Sequence, residues 1–186
     1  MGILGTRPRP IAAAILLASL LSPLSPVLAQ ETLERDVKAV YLFNFTKFVE
    51  WPRPTGANEP FRVCVSGDEA LRQSVEKTIA GEQVEGRPLQ SVVPRTPNEA
   101  RTCQVLFIGG DTEHETRMLS AVRDLPVLTV SDTLNFARRG GGIEFVREKN
   151  RLRFDVNLQG AEQGGIRVSA RLLRVARAVH ESPKKK

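Results

Sequence analysis

Val105-Leu106-Phe107-Ile108-Gly109-Gly110 (VLFIGG) sets four apolar residues, without a break, against a pair of glycines. A strand with one wet face alternates, whereas a strand apolar at every position is covered on both faces and belongs inside a parallel sheet. The glycines end it, and a helix follows near Glu113 to Arg123. The same order recurs outward in both directions. Upstream, Phe61 to Val65 alternates towards a strand, Ser66-Gly67-Asp68 turns it, and Glu69 to Ile79 is helical; Leu89 to Val93 is a second short strand. Downstream, Val127 to Val130 is a fourth strand, with Ser131 or Asp132 placed to cap the next short helix. Strands that alternate with helices predict a parallel sheet with helices on its faces.

Past Gly140-Gly141-Gly142 the texture changes. Ile143 to Arg147 and Arg151 to Leu158 flank a polar turn, and Leu152, Phe154, Val156 and Leu158 alternate with polar residues, so this is a β-hairpin with one buried face. A final helix is expected from about Ala161 to Val179. Near the start, Glu31 to Val49 reads as a helix that stops at Trp51-Pro52. Arg53 to Pro60 reads as a linker. The expected fold is α/β: a mainly parallel sheet flanked by helices on both faces, a C-terminal antiparallel hairpin and a final helix. One domain spans residues 30–180, with a basic disordered tail at 181–186.

The N-terminus is a separate matter. Met1 to Pro10 carries Arg7 and Arg9 and no acid, Ile11 to Leu21 is apolar apart from Ser19, and Val27-Leu28-Ala29 offers small or aliphatic residues at a cleavage position. That is the pattern of a secretory signal peptide cut after Ala29, leaving a mature chain of about 157 residues. The alternative, an uncleaved anchor, is shorter than the roughly 20 apolar residues a span needs and is interrupted by Pro23 and Pro26. The formal charge of +6 loses two with Arg7 and Arg9, and Lys184, Lys185 and Lys186 hold most of the rest. The body is nearly neutral, so the basic balance does not indicate nucleic acid.

Cys64 and Cys103 are the only cysteines. In an oxidising compartment they can form one structural disulfide; a free buried thiol or a metal pair are the other readings, the latter short of ligands with no nearby histidine.

These segments resemble the YfiR family of small periplasmic regulatory proteins. The residues that carry the resemblance are FNFTKFVEWP (Phe43 to Pro52), CVSGDEAL (Cys64 to Leu71), GRPL (Gly86 to Leu89), CQVLFIGG (Cys103 to Gly110), VLTVSD (Val127 to Asp132), FARRGGGIEFVREKNRLRFDVN (Phe136 to Asn157) and SARLLRVA (Ser169 to Ala176). The resemblance implies a non-enzymatic, cofactor-free repressor in the periplasm. Such a protein binds the periplasmic region of an inner-membrane diguanylate cyclase, and an outer-membrane lipoprotein can sequester it. Val156 and Ala170 depart from the usual pattern, and a second cysteine pair found in some members is absent.

Several residues are candidate contacts. Five of the ten aromatics fall between Tyr41 and Trp51. At 100° per residue Val37, Val40, Tyr41, Asn44, Phe45, Phe48 and Trp51 share one face, against Arg35, Asp36, Thr46, Lys47 and Glu50. Asn44 is expected to hydrogen-bond a neighbouring element. Phe43 falls on the polar arc: either another element covers it, or it serves partner binding or a homodimer. The repressing surface is expected on the hairpin, at Phe145 and Arg147, and on one basic face of the last helix, at Arg167, Arg171, Arg174 and Arg177. Gly109, Gly110 and Asp111 follow a central strand, where open α/β sheets bind ligands, so a small-molecule sensing module is the alternative function.

Catalytic signals are thin. Val65-Ser66-Gly67 lacks the first glycine of a nucleophile elbow, and nothing in the spacing singles out a Ser66–His114 pair. Gly140 to Gly142 precedes a strand, with no phosphate-binding lysine after it. His114 with Glu113 and Glu115 is too small a set for a metal site.

Overall fold

The computed structural model describes Gly2, residues 26–52 and residues 59–181. The expected leader up to Ser25, Arg53 to Asn58 of the expected linker, and residues 182–186 of the expected tail lie outside them.

The elements are α1 (Pro26–Phe48), β1 (Val49–Glu50), β2 (Phe61–Ser66), α2 (Glu69–Ile79), β3 (Gln83–Val84), β4 (Arg87–Val92), α3 (Pro97–Ala100), β5 (Val105–Ile108), α4 (Thr112–Val122) and β6 (Leu128–Ser131). After a 3-10 turn at Ala137–Arg139 come β7 (Ile143–Glu148), β8 (Arg151–Asn157), α5 (Leu158–Ala161), a second 3-10 turn at Gln163–Gly165, β9 (Arg167–Val168), α6 (Ala170–Val175) and β10 (Ala178–His180). The main sheet runs β10-β8-β7-β6-β5-β2-β4-β3. The pairs from β4 through β2, β5 and β6 to β7 are parallel, β7 and β8 form the antiparallel hairpin, and β10 joins β8 in parallel.

β5 is buried at all four positions and lies between β2 and β6, as its uniform apolarity predicts. Alternate residues divide between two cores. Val63, Val65, Val105, Phe107, Val130 and Phe145 meet α1 and α2 on one face; Cys64, Leu106 and Ile108 meet Ala100, Met118, Val122 and Phe136 on the other. Helices therefore cover both faces. Cys64 and Cys103 form the disulfide inside the second core, Cα to Cα 5.9 Å across 39 residues. Gly67 makes the turn from β2 into α2 at φ 80°, and a side chain there would begin 2.4 Å from the Gly109 carbonyl oxygen. Asp68 then caps α2 by accepting the Leu71 amide.

Three local expectations are corrected. Neither Ser131 nor Asp132 caps a helix: Ser131 Oγ donates to the Ile108 carbonyl and accepts the Thr133 amide, Asp132 pairs with Lys38, and the 3-10 turn starts at Ala137 with no side-chain cap. On α1 the buried residues are Lys38, Ala39, Leu42, Phe45 and Thr46, whereas Val40 is 48% exposed. Thr46 tolerates burial because its hydroxyl donates to the Phe43 carbonyl one turn back.

The third correction is the largest. The expected helix from Ala161 to Val179 is not one element. Gly164 and Gly165 have φ values of 64° and 84°, which a helix does not accommodate. Val168 pairs with Val49, Ser169 starts α6 by accepting the Leu172 amide, and Ala178 to His180 leaves as a strand on β8. The four arginines therefore share no helical face. Arg167 is on β9, Arg171 and Arg174 are on α6, and Arg177 precedes β10.

Candidate functional site

The carboxyl edge of the parallel strands is closed by its own loops. The Gly109 amide donates to the Ser66 carbonyl at 2.7 Å, Gly110 turns at φ 97° beside the His114 ring, and Asp111 Oδ1 accepts the His114 amide at 2.7 Å. The tight approach of Gly67 to Gly109 fills the space between the two loops. Ser66 Oγ and His114 Nε2 do meet, at 2.8 Å. A hydroxyl on an imidazole is the start of a nucleophile–base pair, but Ser66 is 2% exposed, and among the described residues no carboxylate bonds the His114 ring. The pair ties the end of β2 to the first turn of α4.

The hairpin presents two further surfaces, one on each face of the sheet. On the face away from α1, a cleft of about 510 Å³ is lined by Leu134, Arg138, Glu144, Asp155, Arg177 and His180. Glu144 and Asp155 are register partners on β7 and β8, both nearly buried. Glu144 accepts the amides of Asn135 and Ala137, which fixes the loop after β6. Asp155 accepts Arg177 Nε at 2.8 Å and Nη2 at 2.5 Å, a two-pronged pair, with His180 Nε2 3.5 Å away. Burial pushes the Asp155 carboxyl up, but the Arg177 guanidinium and then His180 outweigh it and hold it below its ordinary value. The same bond raises Arg177. This cluster locks β10 onto β8.

On the α1 face two grooves of about 360 Å³ each border α1. One lies between Leu33, Glu34 and Val37 and the hairpin residues Arg147, Arg151 and Leu152. The other lies between Tyr41, Asn44 and Phe48 and the α6 residues Arg171, Leu172 and Val175. Lys38, 7% exposed, bonds Asp132 at 2.6 Å and Glu34 at 3.0 Å, and Glu34 also pairs with Arg147. That network fastens α1 to the hairpin and to the loop after β6.

The expected site residues are thus dispersed. Phe145 is corrected from a contact to a core residue: it is 4% exposed, with its ring 6.0 Å from Phe45 and 5.8 Å from Tyr41. Phe43 is half-buried, with Lys47 Nζ 3.8 Å over its ring. Arg147, Arg167, Arg171 and Arg174 are exposed, but only Arg147 and Arg171 border the grooves. Asn44 does not bond a neighbouring element among the described residues; it opens onto the second groove, where solvent can satisfy it. Sequence reasoning missed Asp155, His180, Glu144 and Lys38, and it placed Arg177 on the wrong element. Asp155 was visible as an acid between Phe154 and Val156, but its partner was hidden because Arg177 was assigned to a helix face.

Among the described residues no helix is long and apolar enough to cross a membrane. No curated protein matches the chain. Among solved structures, a conserved domain protein from Vibrio cholerae O1 biovar El Tor shares the fold, with a TM-score of 0.53 at 12% identity over 78% of this chain and 60% of that one. The chain spans about three fifths of that protein's length. The family model described as YfiR/HmsC-like matches residues 35–177, from the first anchored turns of α1 to the arginine that locks β10. The chain belongs to the YfiR/HmsC-like family.

Proposed function

We propose that this protein is a negative regulator that binds the periplasmic sensor region of an inner-membrane diguanylate cyclase and represses cyclic di-GMP synthesis. The family match over residues 35–177 is the observation that supports it. The protein reaches the periplasm by a leader cut after Ala29, and an outer-membrane lipoprotein relieves repression by sequestering it. Its contact surface comprises exposed Arg147 of the hairpin with Arg167, Arg171 and Arg174 of the C-terminal segment, and Phe43 serves self-association. The closed edge at Gly109, Gly110 and Asp111 favours partner binding over the small-molecule alternative.

Affinity-tagged protein, recovered from the periplasm of its own cells after cross-linking, should carry a membrane diguanylate cyclase with it. The cyclase should be absent when the tagged chain has Arg147, Arg167, Arg171 and Arg174 changed to glutamine. Recovery with both chains alike contradicts the assigned surface, and recovery with neither contradicts the partner.

A further inference from the structure

The two grooves beside α1 are parts of one surface. At 100° per residue, Leu33, Glu34 and Val37 of the first and Tyr41, Asn44 and Phe48 of the second occupy the same sector of the helix. The deeply buried arc through Ala39, Leu42 and Thr46 lies nearly opposite it. From Leu33 to Phe48 this sector is roughly 22 Å long at the helical rise. Its far wall is Leu152 and Phe154 of β8, then Leu172 and Val175 of α6.

Two features of the surface are unusual for a protein exterior. Apolar side chains stay uncovered along it: Leu33 is 64% exposed, Val40 on its rim 48% and Val175 58%. The charge at its margin is also one-sided. Arg147, Arg151 and Arg171 stand against Glu34 alone, and Glu34 is held by Lys38 and Arg147. Arg151 and Arg171 have no ion pair among the described residues.

We propose that this groove receives an amphipathic helix of about four turns from the regulated protein, its apolar stripe on Leu33, Val37, Phe48 and Val175 and its acidic flanks on Arg151 and Arg171. The proposal rests on the regulator function above, since the helix belongs to the partner. Two mainly apolar grooves in line along one sector of α1 match the stripe of a helix, and the unpaired arginines select acidic flanks. A second copy fits less well, because its α1 would bring Arg35 and Lys47 along with its acids.

Fluorescence anisotropy with the full chain and a defined probe tests this. The probe is a helical peptide of about four turns with a leucine stripe flanked by glutamates, compared with the same peptide carrying lysines instead. The glutamate peptide should bind at least tenfold tighter, and should weaken at least tenfold with Val175→Asp and with Arg171→Glu. Leu134→Asp, at a still more exposed position but in the cleft on the opposite face, should leave it unchanged. Equal affinity for both peptides, or wild-type affinity in Val175→Asp, overturns the proposal. So does a dimer by light scattering that Val40→Asp converts to monomer, because the occupant is then a second copy. Cyclic di-GMP in cells lacking the protein reads the parent function separately. A rise on deletion without peptide binding sinks the groove alone, and intact peptide binding without a rise sinks the regulator alone.

Discussion

Asp155 sits at a strand position that is 4% exposed, where Arg177 and His180 meet it. Its folded carboxyl titrates below its ordinary value, so the stabilisation is fully present above the unfolded value, about pH 4, and is lost as pH falls through the lower folded value. Asp155→Asn should cost about 1–2 kcal/mol at pH 7, the modest size reflecting Arg177's access to solvent. Urea unfolding of both proteins at pH 7 and in strong acid should show the gap shrinking as pH drops; a constant gap contradicts the assignment. Cys64 and Cys103 act through the unfolded chain. Replacing both by alanine releases a loop closed across 39 residues and should lower stability by about 4 kcal/mol in the chain-entropy account, read as a fall in the urea midpoint. The bridge was legible as one option because only one intramolecular pairing exists. The Asp155–Arg177 pair was not, because it joins residues whose elements were assigned differently.

Elements show where local pattern suffices. α2 and β5 begin and end where the sequence places them, because each has its own punctuation: Asp68 as cap for one, Gly109-Gly110 as stop for the other. α1 exists as expected but sits rotated, since apolar residues cover more than half its circumference and a hydrophobic wheel cannot choose among several packings. Phe45→Ala should therefore cost about 3–5 kcal/mol, whereas Val40→Ala, on the open rim, should stay within about 0.5 kcal/mol. Equal effects by thermal unfolding would return α1 to the sequence-derived orientation. The segment after Ala161 failed because its helical periodicity was real for only six residues of α6, and tertiary pairing of Val168 with Val49 and of Val179 with Val156 claimed the rest. Gly164→Ala tests that break. A Cβ there would lie 2.1 Å from the Leu125 carbonyl carbon at a φ of 64°, so the variant should lose more than about 1 kcal/mol by urea unfolding, where a continuous helix would gain.

At the scale of the whole molecule the parallel order was readable, because alternating strands and helices leave few topologies. The added edge strand β10 was not readable, since three residues carry no period of their own. The resulting surface divides the labour: a sheet edge closed by packed glycines, a far-face cleft whose ion pair holds the C-terminus, and an open basic groove beside α1. Among the described residues the groove leaves apolar side chains in water along four turns of helix, which is where a regulator acting by contact has something to offer.

The direct measurement is intracellular cyclic di-GMP in cells lacking this protein, beside cells complemented with the whole 186-residue chain. A negative regulator of a cyclase predicts a rise on deletion that complementation reverses, with no reversal by a chain carrying Val175→Asp and Arg171→Glu. A level that stays constant on deletion, in conditions where the protein is expressed, contradicts it.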